Sequence, residues 1–212
     1  MIPGLSGAEE RRFGLASKIS IFRVIPLSDS TSVVPPSDGV GEPDYLRRLR
    51  EKICFEHMNA ENAHRFAECI DVFTHPRYEL MPTGEIFDGA ARVDELLNEN
   101  KTAFPDFYFG VSEVGHSDSS VFVEGAFSGT HLGSWRGLPA TGRKVKVPML
   151  IVFRFEGERM MCERVYFDLN TVLQQLGVAW DPNSAVGRIS AGINHPLTIA
   201  RALFRMIGLT RK

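Results

Sequence analysis

Lys144-Val145-Lys146-Val147-Pro148-Met149-Leu150-Ile151-Val152-Phe153-Arg154-Phe155 alternates its side chains with a period of two. Val145, Val147, Met149, Ile151 and Phe153 fall on one face, and Leu150 and Val152 on the other, which is the spacing of a β-strand. Both faces are apolar near the middle, so both should be covered. One face can line a pocket beneath helices; the other can pack against another subunit. Outward from this stretch, residues 107–115, 120–131 and 159–167 read as further strands. The turns at 116–119 and 156–158 are short enough to require antiparallel neighbours, and a longer loop spans 133–142.

Upstream the period changes. Leu46, Leu49 and Ile53 recur at helical spacing, and Pro43 suits a first turn, which predicts a helix over 43–58. Asn59 can cap a second helix through residue 73 that buries Phe66, Ile70 and Phe73. Short strands over 78–81 and 85–88 flank the turn Pro82-Thr83-Gly84, and a helix over 90–104 ends at Pro105. Downstream, Asp168 can cap a helix over 169–176, which Gly177 closes. Helices first, then strands with one inserted helix, then a meander describe an α+β fold.

The ends differ in character. Residues 1–43 read as an extension, with a Ser/Pro/Gly linker and a short strand over 19–25. Residues 178–194 are rich in Gly, Asn and Ser and are expected to be irregular. Asn194 can then cap a helix over 195–207 in which Leu197, Ala200, Leu203, Phe204 and Ile207 form one apolar stripe beside Arg201 and Arg205. The expectation is that this helix docks on its own body or on a partner subunit; membrane contact is the reading set aside.

Composition narrows the function classes. A net charge of -2 gives no nucleic-acid footprint. Cys54, Cys69 and Cys162 have neither disulfide nor metal-clip spacing, which suits reduced thiols in a cytoplasmic protein. No run reaches a membrane span, and no basic start leads into an apolar signal segment. Fifteen Phe against two Trp and four Tyr suit an apolar core and pocket that need few hydrogen-bond partners.

The run Gly129-Thr130-His131-Leu132-Gly133-Ser134-Trp135-Arg136-Gly137-Leu138-Pro139-Ala140-Thr141-Gly142 resembles the signature of the SnoaL-like polyketide cyclases. Glu163-Arg164-Val165-Tyr166-Phe167-Asp168, followed by Gln175-Leu176-Gly177, is similar to their closing strand and helix. Thr74-His75-Pro76 and Phe104-Pro105-Asp106 match earlier segments. The resemblance covers residues 44–178. It implies a nuclear-transport-factor-like, cone-shaped curved antiparallel sheet with helices on its concave face. It also implies cofactor-free and metal-free acid/base chemistry, in which a carboxylate on the last strand is assisted by a histidine on the preceding one. In this sequence those two positions fall on Val165 and Ile151, neither of which can transfer a proton.

Glu163, two residues before Val165, shares its strand face and is the first candidate for acid/base work; the alternative is a rim position paired with an arginine. His131 can carry a proton near neutrality or bond to nearby backbone. Asp168 can be catalytic or cap the last helix. Tyr78, Trp135, Met149, Ile151, Phe153, Val165 and Phe167 are the expected pocket wall, with Trp135 either a lid or a loop anchor. His57, His64 and His75 lack metal-ligand spacing, and no metal site is expected. The leading expectation is an enzyme acting on a small hydrophobic carbonyl compound, as a homodimer joined through Leu150, Val152 and Tyr166. A binding protein without catalysis, and a hydrolase or dehydratase on the same fold, remain open at this point.

Overall fold

The computed structural model describes residues 42–209. The extension expected over 1–43, with its strand at 19–25, lies almost wholly outside the described residues. Helix α1 runs Glu42–Asn62 and α2 Phe66–Asp71, followed by β1 (Arg77–Leu80), β2 (Glu85–Asp88) and α3 (Ala90–Ala103). Four longer strands succeed them: β3 (Tyr108–His116), β4 (Ser120–Thr130), β5 (Lys144–Glu156) and β6 (Arg159–Phe167). Helices α4 (Leu169–Gln175), α5 (Ala185–Asn194) and α6 (Pro196–Leu209) complete the described chain.

The strands form one curved, open sheet in the order β2-β1-β6-β5-β4-β3. The meander β3–β6 is antiparallel, as its short turns require. Strand β1 joins it parallel to β6, with Tyr78 opposite Glu163 and Leu80 opposite Val165. That pairing brings residues far apart in the chain onto neighbouring positions of one surface. The core lies between this face and α1–α3, where Leu97, Val93, Val147, Phe153 and Met160 are fully or almost fully buried.

Two helices depart from the sequence expectation. Asn59 does not start a new helix; α1 continues through it to Asn62. His57, Met58 and Ala60 are buried around it, and burial of these neighbours outweighs a cap worth about 1 kcal/mol. The helix instead ends at His64, whose φ of 56° is left-handed. Arg65 N–H donates to the Ala60 carbonyl and His64 N–H to that of Glu61, which is a Schellman closure without glycine. The second departure is α5, where irregular chain was expected. The Ser184 hydroxyl accepts from Gly187 N–H and caps it. Gly187 is buried so close to Asp181 that a Cβ would stand 1.9 Å from its carbonyl oxygen. A glycine that reads as loop composition is here a packing requirement. The helix expected over 195–207 is present as α6, but Leu197, Leu203 and Phe204 are 71%, 53% and 75% exposed rather than docked on the body.

Candidate active site

A cavity of about 110 Å³ opens between the sheet and the helices. That is room for several waters or part of an organic molecule. Met149 and Ile151 of β5 and Val165 and Phe167 of β6 form one wall; Leu96 and Leu97 of α3 face them. Trp135 closes one side, buried and set edge-on to Phe104 with ring centroids 6.0 Å apart. Its loop is anchored where Leu132 and Gly133 N–H both donate to the Ala103 carbonyl. A Cβ on Gly133 would stand 2.1 Å from the Thr102 carbonyl oxygen, so only glycine allows that approach.

Tyr78 and Glu163 also line the cavity, and both are almost fully buried. Phe153 does not line it. It is fully buried, pairs with Glu163 in register and sets its ring edge-on to His57 at 5.5 Å, so it supports the site from behind.

The polar groups converge on His57, a residue that sequence reasoning passed over. Its ring is fully buried on α1. Nε2 lies 2.9 Å from Glu163 Oε2 and 3.0 Å from the Tyr78 hydroxyl. Nδ1 lies 3.0 Å from the Cys69 carbonyl oxygen. A carbonyl only accepts, so Nδ1 carries a proton, and the state of the ring is decided at Nε2. Glu61, one turn after His57, lines the cavity with its carboxylate 3.9 Å from Nε2 and its side chain a quarter accessible.

Burial alone would lower the His57 pKa, but Cys69 and the Glu163 carboxylate outweigh it and hold it well above the ordinary imidazole value. The Cys69 thiol is itself pushed up by burial, with His57 opposing. A proton on Nε2 would be donated to Glu163, 2.9 Å away. Burial, then the charge of Glu163, pushes Glu61 up to about 7, with His57 opposing. Burial, then Glu163, raises Tyr78 well above the usual phenol, which keeps it a hydrogen-bond donor.

The other two sequence candidates lie apart from this cluster. His131 is fully buried and stacks on Phe104 at 5.2 Å, and its Nδ1 accepts from Thr141 N–H. Its proton is thus on Nε2, which has no hydrogen-bond partner among the described residues, and burial lowers its pKa. Asp168 caps α4: its two oxygens accept from Asn170 N–H, Thr171 N–H and the Thr171 hydroxyl. His57, Glu61 and Cys69 each offer one ligand atom within 4.8 Å of the others. The sulfur, however, lies 3.4 Å from Nδ1 and 3.7 Å from Nε2. Near-equidistance from both nitrogens places it off the axis along which either lone pair would bind a metal, and Nε2 already faces Glu163 and Tyr78.

The family model for SnoaL-like polyketide cyclases matches residues 54–176, more than half of the chain. The chain belongs to the SnoaL-like polyketide cyclase family. Solved structures of the same fold include a phenazine biosynthesis-related protein of Pseudomonas aeruginosa, 18% identical, with a TM-score of 0.58 over 71% of this chain and 94% of that one. A protein of a Jannaschia species described as SnoaL-like polyketide cyclase is 17% identical, with a TM-score of 0.57 over 63% and 94%. A Catenulispora acidiphila protein with a ketosteroid isomerase-like fold, solved with trimethylamine, is 18% identical, with a TM-score of 0.53 over 62% and 98%. A search of curated proteins finds no match. At these identities the likeness fixes the fold of this SnoaL-like chain. Within it, Ile151 and Val165, where the family resemblance places a histidine and an aspartate, are direct cross-strand partners lining the cavity. The polar pair stands deeper: its carboxylate is two residues earlier on β6, and its imidazole comes from α1.

Proposed function

We propose that this SnoaL-like protein is a cofactor-independent enzyme that moves a proton next to the carbonyl of a small hydrophobic compound. The observation that carries the reading is the buried Glu163–His57–Tyr78 cluster opening, with Glu61, onto an otherwise apolar cavity. When Nε2–H is donated to Glu163, the Tyr78 hydroxyl, whose other neighbour is the Cys69 sulfur at 3.5 Å, can turn its proton to a ligand oxygen. A carbonyl held there would gain negative charge as its neighbouring carbon is deprotonated, and Tyr78 backed by the imidazolium would stabilise it. Glu61 is the base: its pKa of about 7 leaves it partly ionised at neutrality, where a general base works best. Glu163 acts through His57 by keeping the ring charged. The proton taken by Glu61 returns to another carbon or oxygen of the same molecule, so no oxidant or cofactor is required.

Free, buried Cys54, Cys69 and Cys162 suit a reducing compartment, and the cytoplasm is the proposed location. Among the described residues no helix is long and apolar enough to cross a membrane.

The test is deuterium exchange at the enolisable carbon of 2-tetralone in D2O, followed by NMR. The protein should accelerate exchange, and Glu61→Gln should reduce the acceleration by ~10²–10⁴-fold, the usual contribution of one positioned base. Saturable binding of the ketone with exchange no faster than buffer would overturn catalysis and leave a binding protein.

A further inference from the structure

Helices α5 and α6 touch each other and carry apolar side chains that the other described residues leave open. Ile189 and Ile193 of α5 are 63% and 74% exposed, and Leu197, Leu203 and Phe204 of α6 are also mainly exposed. On α6, Arg201 and Arg205 are one turn apart on the face opposite Leu203. Beyond Asp181 the sequence carries Arg188, Arg201, Arg205, Arg211 and Lys212 and no acidic residue. Trp180, 61% exposed, stands just before α5.

We propose that α5–α6 is a docking element for the surface of an anionic lipid bilayer. Its strip would lie among the outer acyl segments and its arginines among the headgroups. A helix with an apolar face, a polar face whose only charges are basic, and insufficient length to span is the form that binds in the interfacial plane. Tryptophan favours the same level, because its ring is apolar and its N–H is polar. Charge selects this occupant over a second copy of the strip: two such surfaces, bearing only positive charge, would repel. The chain as a whole is at -2, so the residues before this segment carry the negative excess. That asymmetry turns the catalytic body away from an anionic surface and leaves α5–α6 as the approaching face.

The experiment uses the full chain with vesicles of equal phosphatidylglycerol and phosphatidylcholine, and with phosphatidylcholine alone. Binding is read by co-sedimentation and by Trp180 emission. The expected result is binding to the anionic vesicles with a blue shift that Trp180→Phe removes, and at least ~10-fold weaker binding to neutral ones. Arg201→Glu with Arg205→Glu should weaken partitioning by ~30-fold or more, since each basic residue near such a surface contributes about 5-fold. Leu203→Ser with Phe204→Ser should weaken it as well. All four positions are exposed, so the melting temperature should hold. Sedimentation that is the same with and without vesicles overturns the proposal. So does a doubled mass in solution that Leu203→Ser with Phe204→Ser returns to one chain, which would assign the strip to a second copy.

Discussion

The Nδ1 proton of His57 is committed to the Cys69 carbonyl, so a change of protonation falls on Nε2 and alters what Glu163 and Tyr78 can do. Two consequences are measurable. His57 is raised above its ordinary 6.5, so the stability it contributes is fully present below pH 6.5 and is lost as pH rises through its folded value. Glu61 is raised from 4.5 to about 7, so its share is lost between those values. Both signs agree. The melting temperature should fall as pH rises from 6 to 9, and Glu163→Gln, which removes the counter-ion of the imidazolium, should flatten that fall. A steeper fall in the variant would show that Glu163 is not what holds the proton on His57. The exchange rate should follow Glu61, rising with pH to a plateau through about 7. That inflection should vanish in Glu61→Gln and persist, shifted, in Glu163→Gln. Glu163 was readable from the period of two along β6. His57 was not, because its partner is 106 residues away. Yet its place four residues after Ile53 and four before Glu61, on the buried side of α1, was a signal that a metal-spacing search does not use.

Elements were legible where local chemistry and tertiary packing agree. The four meander strands match the alternation within a residue or two, because burial of one face and short turns leave a single register. The departures occur where packing overrules a local preference: Asn59 inside α1, His64 closing it without glycine, and Gly187 seated against Asp181 in α5. Asp168 shows the converse, a residue whose position in a family segment suggested chemistry and whose contacts are those of a cap. Asp168→Ala should therefore lower the melting temperature and leave exchange in the cavity intact. A large loss of exchange with an unchanged melting temperature would return Asp168 to the chemistry. Gly133→Ala is the opposite case. Its Cβ would press on the Thr102 carbonyl and move the Trp135 loop, so ketone binding should weaken more than thermal stability.

At the scale of the molecule the two faces of the sheet differ in what they meet. The inner face, through Met149, Ile151 and Val165, lines the cavity. On the outer face Leu150 and Tyr166 are cross-strand partners, each 38% exposed, and Val152 beside them is nearly buried. An apolar strip on the outside of an antiparallel sheet loses little by closing over another copy of itself, and a two-fold axis would set each residue near its own symmetry mate. A homodimer through this face is therefore expected, distinct from α5–α6 and compatible with membrane docking by two tails. Leu150→Arg is the decisive variant. In a two-fold interface the substitution occurs on both sides, so two new charges are desolvated close together, and each repels the other. The variant should keep its melting temperature at low concentration, because position 150 is partly exposed in the single chain, while its dimerisation weakens by ~10-fold or more. Light scattering should give twice the chain mass for the unmodified protein at micromolar concentration and a lower mass for the variant. A single-chain mass for the unmodified protein would leave the outer strip uncovered and rule out the dimer, with the cavity and its titrating groups unaffected.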